Sequence, residues 1–356
     1  MVTLNANIAR PLPWPGESTP RDAPCRPAPG SGPRGAGIQC ASAYVALGPG
    51  PTFDTLGDVE GTPVIEIEGV EPDPTTGELV MTTVGVTDNL TLAQTVLAWF
   101  SGRYGLSPRE QVYPPTRSKD DVKAADHAQF TQSELSAELA ALHYLDMPVT
   151  LRVAQVADDA PATGVLHEGD RILAVGGETV GTAGQVQRAV GDTAPGSDLE
   201  VTIERDGVEE VVPVTVGGRP SDPDKGFLGI GTEEIPDVPF TVSFNLADVG
   251  GPSAGLMFSL AVVDKLSPGA LNGGMHVAGT GTIDSDGVVG PIGGITHKLT
   301  AAAEGGAELF LVPADNCAEA LSDTPDGIRL IKVETLEGAI DALASVTSGG
   351  DAPTCE

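Results

Sequence analysis

Ser253 lies in the stretch DVGGPSAGLMFSLAVV, at the start of an apolar run that reads as a helix from Pro252 to Leu266. Proline suits the first helical position. The opening turn of a helix carries N–H groups without helical acceptors and the positive end of the helix dipole. A serine there, with the amides of Gly251 and Ala254 beside it, has the surroundings that receive an oxyanion during acyl transfer. Gly250 and Gly251 allow a substrate backbone to come close. The same residues also describe a plain helix start with a capping serine.

A serine hydroxyl needs a base to become a nucleophile. Gly251, Ser253 and Gly255 fit GxSxG, which calls for an acid and then a histidine later in the chain. Asp284 or Asp286 with His297 are the candidates, crowded into a few residues and without a hydrolase sheet before them. A neutral lysine is the other option. Burial and a nearby helix N-terminus both lower a lysine pKa. The chain has six lysines: Lys119, Lys123, Lys225, Lys265, Lys298 and Lys332. Lys265 is twelve residues along the same helix, about 18 Å away at 1.5 Å per residue. Lys119 and Lys123 sit in the charged SKDDVK, and Lys332 lies beside Glu334. Lys298 follows GPIGG and precedes Leu299 and an alanine run, a setting that predicts burial. On its residues alone the default reading is a snorkelling surface lysine.

The elements that must position these groups read as an α+β multidomain chain. Residues 1–42 are rich in Pro, Gly, Arg and Ser and show no apolar period. They read as a disordered or mis-assigned N-terminal segment. Their GxGxxG at Gly30–Gly35 follows no strand. An N-terminal α/β region follows over 43–145. It has alternating strands in TPVIEIEGV and GELVMTTVGVT, a helix from Thr91 to Phe100, and a second helix that Thr131 caps with Glu134. Residues 146–218 read as a small β-rich module with a hairpin turn at Arg205-Asp206-Gly207. Residues 225–346 read as a mixed α/β domain with helices at Pro252–Leu266, Ile295–Glu304 and Thr335–Ala344. The last ten residues read as a disordered tail.

Composition narrows the function. Acids number 50 and bases 19, for a formal charge of −31 and no basic patch, which excludes a nucleic-acid partner. The cysteines, Cys25, Cys40, Cys317 and Cys355, contain no CxxC and are too sparse for a disulfide scaffold. There is no HExxH and no GxxxxGK[ST], so neither a metal nor a nucleotide cofactor is expected. The longest apolar run, Leu256 to Val263, is far short of a membrane span.

Two resemblances sharpen the reading. APATGVLHEGDRILAVGGETV, a helix, then PGSDLEVTIERDG resembles a bacterial PDZ domain. That implies a groove able to take C-terminal peptides. A GLGF-type carboxylate loop is not evident; only Leu145-Asp146-Met147-Pro148 stands near its expected place. GGPSAG followed by AGTGTIDSDGVVGPIGGITHKL resembles the proteolytic domain of Lon-family serine proteases over about 120 residues. The resemblance implies Ser253 as nucleophile, Lys298 as general base and Thr280 as the residue that orients the lysine. Two positions depart from that family: Gly250 and Thr282 stand where acidic residues are common, with Asp248 nearby. The order of modules is similar to that of PDZ-containing Lon-like proteases of Gram-positive bacteria. It implies a homo-oligomeric, ATP-independent endopeptidase with polypeptide substrates and no ATPase partner. It also implies membrane anchoring before Tyr44 and domains outside the cytoplasm, although the stretch before Tyr44 is not apolar here. The other reading is a PDZ adaptor with an inactive Lon-like domain.

Overall fold

The computed structural model describes residues 26–27, 38–39, 42–246 and 249–355. Most of the segment read as disordered, 1–42, therefore lies outside the described residues. Within it, Arg26–Pro27 pairs antiparallel with Ile38–Gln39.

The chain enters along β1 (Tyr44–Asp54), β2 (Ile65–Glu68) and β3 (Glu78–Thr87). Helix α1 (Leu92–Phe100) follows, closed by a capping box between Thr91 and Gln94. After β4 (Gly105–Pro108) comes the long helix α2 (Lys119–Tyr144). Thr131 does not start a helix; it sits in the middle of α2. The start is set twelve residues earlier, where the Ser118 hydroxyl accepts from the Asp121 N–H and Asp121 accepts from the Ser118 N–H. The charges of SKDDVK are thus the first turn of a helix, with acids placed favourably for its dipole.

A second compact unit occupies Leu145–Pro239. Its antiparallel sheet contains β5 (Val149–Val156), β6 (Arg171–Val175), β7 (Asp198–Arg205), β8 (Val208–Thr215) and β9 (Ile230–Pro236), in the order β8-β7-β6-β5-β9. Asp206 and Gly207 both take positive φ, as the two-residue turn between β7 and β8 requires. Helix α3 (Ala183–Gly191) is capped by Thr182 and Gln185. Leu151, Ile172, Val186, Val190 and Ile203 meet in one core.

The chain then returns to the first unit. β10 (Thr241–Phe244) pairs with β2. Helix α4 (Gly255–Leu266) follows, then β11 (His276–Gly279), α5 (Ile295–Gly305), β12 (Leu309–Pro313), β13 (Arg329–Val333) and α6 (Leu336–Thr347). One six-stranded sheet runs β13-β12-β11-β3-β1-β4. Its β3 pairs parallel with β11 and antiparallel with β1. The sequence reading separates 43–145 from 225–346, yet strands of both share this sheet and one unit. Strand partners this far apart leave no trace in local periodicity. Helix α4 is buried from Gly255 through Asp264, as an all-round apolar helix must be. Its Phe258 ring lies 5.6 Å from Phe130 of α2 and 4.9 Å from Phe244.

The tail is held in place as far as Cys355, contrary to the sequence reading. Pro353 accepts from the Lys332 N–H at 2.9 Å, and Thr354 bridges to Ile331. A disulfide joins Cys317 to Cys355, so two of the four cysteines do crosslink. Among the described residues no helix is long and apolar enough to cross a membrane.

Candidate active site

Helix α4 begins at Gly255, so Ser253 and Ala254 form the turn that leads into it rather than its first turn. Ser253 is almost wholly buried. Its loop is braced from behind by α2. The Gly251 N–H donates to the Asp126 carbonyl at 2.9 Å, and the Ser133 hydroxyl donates to the Pro252 carbonyl at 3.1 Å. Gly250 passes so close that an added Cβ would come within 2.9 Å of the Asp126 Cβ. The Gly251 amide is therefore spoken for and cannot serve an oxyanion as the sequence reading expects. The Ala254 N–H has no acceptor among the described residues and remains available. Asp248, the other acid noted in the sequence, lies outside the described residues.

Lys298 occupies the first turns of α5, which follows Gly294 in a left-handed conformation. Its side chain is turned inward and only 2 % exposed. The Nζ lies 2.9 Å from each of three oxygens: Ser253 Oγ, Thr280 Oγ1 and the Thr82 carbonyl. Burial alone pulls its pKa down to about 7. The snorkelling alternative is thus set aside. Thr280, fully buried after β11, donates its hydroxyl to the Ser253 carbonyl at 3.0 Å, and the Gly281 N–H reaches the same oxygen at 3.0 Å. The glycines on either side of Thr280 are needed because α4 packs directly on this strand. A Cβ on Gly279 would lie 2.6 Å from Met257 Sδ, and one on Gly281 would lie 3.2 Å from Leu256 Cβ. His297, the base of the GxSxG alternative, sits instead against Gly105, whose added Cβ would stand 3.0 Å from its Nε2.

Two contributions escaped the sequence. Thr82 comes from β3, far upstream of the serine, and offers only a backbone carbonyl, which no motif can reveal. Asn316 binds both the N–H and the carbonyl of Ile292, each at 2.9 Å, and so pins the turn before α5. Its place just before Cys317 is visible in the sequence, but its partner is not.

The second unit holds a groove of about 480 Å³ between α3 and β9. Val186, Gln187 and Val190 line one wall; Phe227, Leu228 and Ile230 line the other. The N–H groups of Leu228 and Gly229 have no acceptor among the described residues. Leu145–Pro148, the stretch near the place expected for a carboxylate loop, instead leads into β5, with the Pro148 carbonyl accepting from the Asp237 N–H. The signal that could have located the groove's end is Phe-Leu-Gly-Ile at Phe227–Ile230, an apolar run around a glycine just before a strand.

A buried serine–lysine pair in a mixed α/β unit, interrupted by a small antiparallel module with a helix-edge groove, defines the architecture. Residues 247–346 match the Lon protease C-terminal proteolytic domain, and residues 117–216 match the PDZ domain. The chain thus combines a PDZ domain with a Lon-type proteolytic domain. The PDZ match ends before the Phe227–Ile230 wall of the groove and begins two residues ahead of α2, so it takes in the whole of that helix. Lon protease 2 of Bacillus subtilis is 33% identical over 95 residues, 27% of this chain and 17% of that protein. A probable periplasmic serine endoprotease, DegP-like, of Halomonas elongata is 36% identical over 103 residues, 29% of this chain and 22% of that protein. The chain spans about a fifth of the length of these relatives. Among solved structures, the PDZ domain of an SdrC-like protein from Listeria innocua aligns over 24% of this chain and 93% of its own, at 19% identity and a TM-score of 0.22.

Proposed function

We propose that the chain is a serine endopeptidase working through Ser253 and Lys298. The observation that carries this is the 2.9 Å approach to the serine hydroxyl of an amine that has no carboxylate partner among the described residues. The proton inventory around Nζ supports the role. The Thr82 carbonyl can only accept. Thr280 has given its hydrogen to the Ser253 carbonyl, so toward Nζ it too can only accept. A neutral amine has two hydrogens, one for each of these oxygens, and its lone pair is then left for the Ser253 hydroxyl. Thr82 and Thr280 in this way aim the base.

In the reaction, Ser253 Oγ attacks the scissile carbonyl carbon while its proton passes to Lys298 Nζ. The Ala254 N–H and the N-terminus of α4 receive the oxyanion. As the C–N bond breaks, Lys298 returns the proton to the leaving amine. A water then repeats the sequence on the acyl-enzyme, with the same lysine as base. Every step uses groups of this chain, and none calls for ATP.

Substrates are unstructured polypeptides, and the PDZ groove recruits them. The unpaired Leu228 and Gly229 amides suit a peptide's terminal carboxylate, with the peptide laid along β9. The Cys317–Cys355 disulfide suits an oxidising compartment outside the cytoplasm. The direct test is digestion of an unfolded model protein without nucleotide by the wild type, Ser253→Ala and Lys298→Ala. Cleavage by the wild type alone supports the proposal, and equal rates in all three refute it.

A further inference from the structure

Helix α1 is the least explained element of the fold. Of its nine residues only Thr95 is buried. Leu97, Trp99 and Phe100 are 69%, 65% and 75% exposed, and Leu92 and Val96 are more than half exposed. The helix holds no charged residue, and its capping box keeps it formed. A surface helix ordinarily turns its apolar side inward and a polar side to water. Here the apolar side faces out, so something apolar must cover it.

We propose that the cover is a second copy of the chain, with the two α1 helices packed antiparallel about a twofold axis at Val96. The spacing is self-complementary. Leu92, Val96 and Phe100 recur every fourth residue along one face, with Trp99 beside them. Reversing the helix about Val96 sets Leu92 opposite Phe100 of the partner subunit and keeps the ridges in register. Trp99 and Phe100 are already in edge-to-face contact at 4.8 Å, a ready-made aromatic anchor.

Charge selects the same face. A molecule of net charge −31 repels its own copy across most of its surface, whereas α1 itself carries no carboxylate to face that of a copy. A lipid surface is the poorer occupant. Helices that lie on membranes carry cationic flanks, whereas Arg103 just beyond α1 is engaged by Glu304. The exposed side chains offer roughly 600–700 Å² per copy, near the ~800 Å² of a standard interface.

Sedimentation equilibrium of the full chain from 1 to 100 µM (about the range in which such an interface associates) tests this. The wild type is expected to form dimers, and Val96→Glu is expected to weaken them by about a hundredfold or more. Val96→Cys, oxidised, is expected to crosslink across the axis where the wild type does not. Circular dichroism identifies any variant that fails to fold, and Trp99→Ser then takes its place. A wild type that stays monomeric at 100 µM overturns the proposal, as does an oligomer unchanged by these variants and not crosslinked. So does a monomer that binds phosphatidylcholine vesicles through Trp99; that result assigns the face to lipid.

Discussion

The Thr82 carbonyl and the Lys298 amine are 216 residues apart in sequence and 2.9 Å apart in the fold. This contact ties the residues before the PDZ domain to the serine's chemistry. The Lon-type unit is incomplete when it is cut at residue 225 or 247, because β3 supplies both the middle of the sheet and an acceptor for the Lys298 amine.

The pH dependence follows from Lys298. With its pKa lowered by burial to about 7, the amine is neutral above that value and protonated below it. Activity is expected to rise with pH to a plateau, with an acid limb near 7 in the kcat/KM profile. A limb near 10 would mean that burial does not lower the pKa of this lysine.

Depressing a lysine pKa in the folded state has a thermodynamic sign. Between about 7 and the ordinary lysine value, the unfolded chain binds the extra proton, so this residue's contribution to stability falls as pH drops through that window. Lys298→Met is therefore expected to abolish activity and raise stability at neutral pH by about 1–2 kcal/mol. The gain stays modest because the Thr82 and Thr280 oxygens lose their donor. Thermal unfolding at pH 7 and pH 10 measures it, and the advantage should be smaller at pH 10.

Thr280→Val removes the hydroxyl that donates to the Ser253 carbonyl and accepts from Nζ, while keeping the shape of the side chain. Loss of kcat by roughly 10²–10³-fold with little change in KM is expected. Thr280→Ser keeps the hydroxyl and should recover most of the rate. Equal loss in both variants would point to packing instead of orientation.

Reduction of the Cys317–Cys355 bond opens a loop spanning a sequence separation of 38 residues. A loss of about 3–4 kcal/mol is expected from loop-closure entropy. Because Cys317 follows Asn316, which pins the turn before α5, activity should fall along with stability. Comparing Cys355→Ser with the wild type, with and without reductant, checks both.

Groove binding depends on the terminal carboxylate if the Leu228 and Gly229 amides receive it. Amidating a peptide's C-terminus is expected to weaken its affinity for the full chain by at least about tenfold. Fluorescence anisotropy measures the change, and equal affinity for both forms would move the contact elsewhere.

Much of the site was legible because its chemistry is local. A serine before an apolar run and a lysine between glycines and alanines are candidates at short range, the resemblance to Lon-family proteases pairs them, and the helices that carry them fall near where the apolar periods put them. The capping boxes at Thr91 and Thr182 are equally local. What stayed hidden depends on distant partners: the pairing of β3 with β11, the Thr82 carbonyl, and the use of the Gly251 amide by Asp126. Thr131 misled because a threonine followed three residues later by a glutamate fits a cap, while the true box at Ser118 and Asp121 was hidden in a charge run. Cys317 and Cys355 looked unrelated because only the return of the tail to β13 brings them together.

No strand of either sheet crosses the junctions at Leu145 and Pro239, and the Pro148–Asp237 hydrogen bond draws the two ends of the second unit side by side. The Leu145–Pro239 unit is therefore an insertion whose two ends lie side by side. Such an insertion point allows exchange: another module whose ends lie equally close could be grafted there without cutting a strand of the sheet that β3 and β11 share.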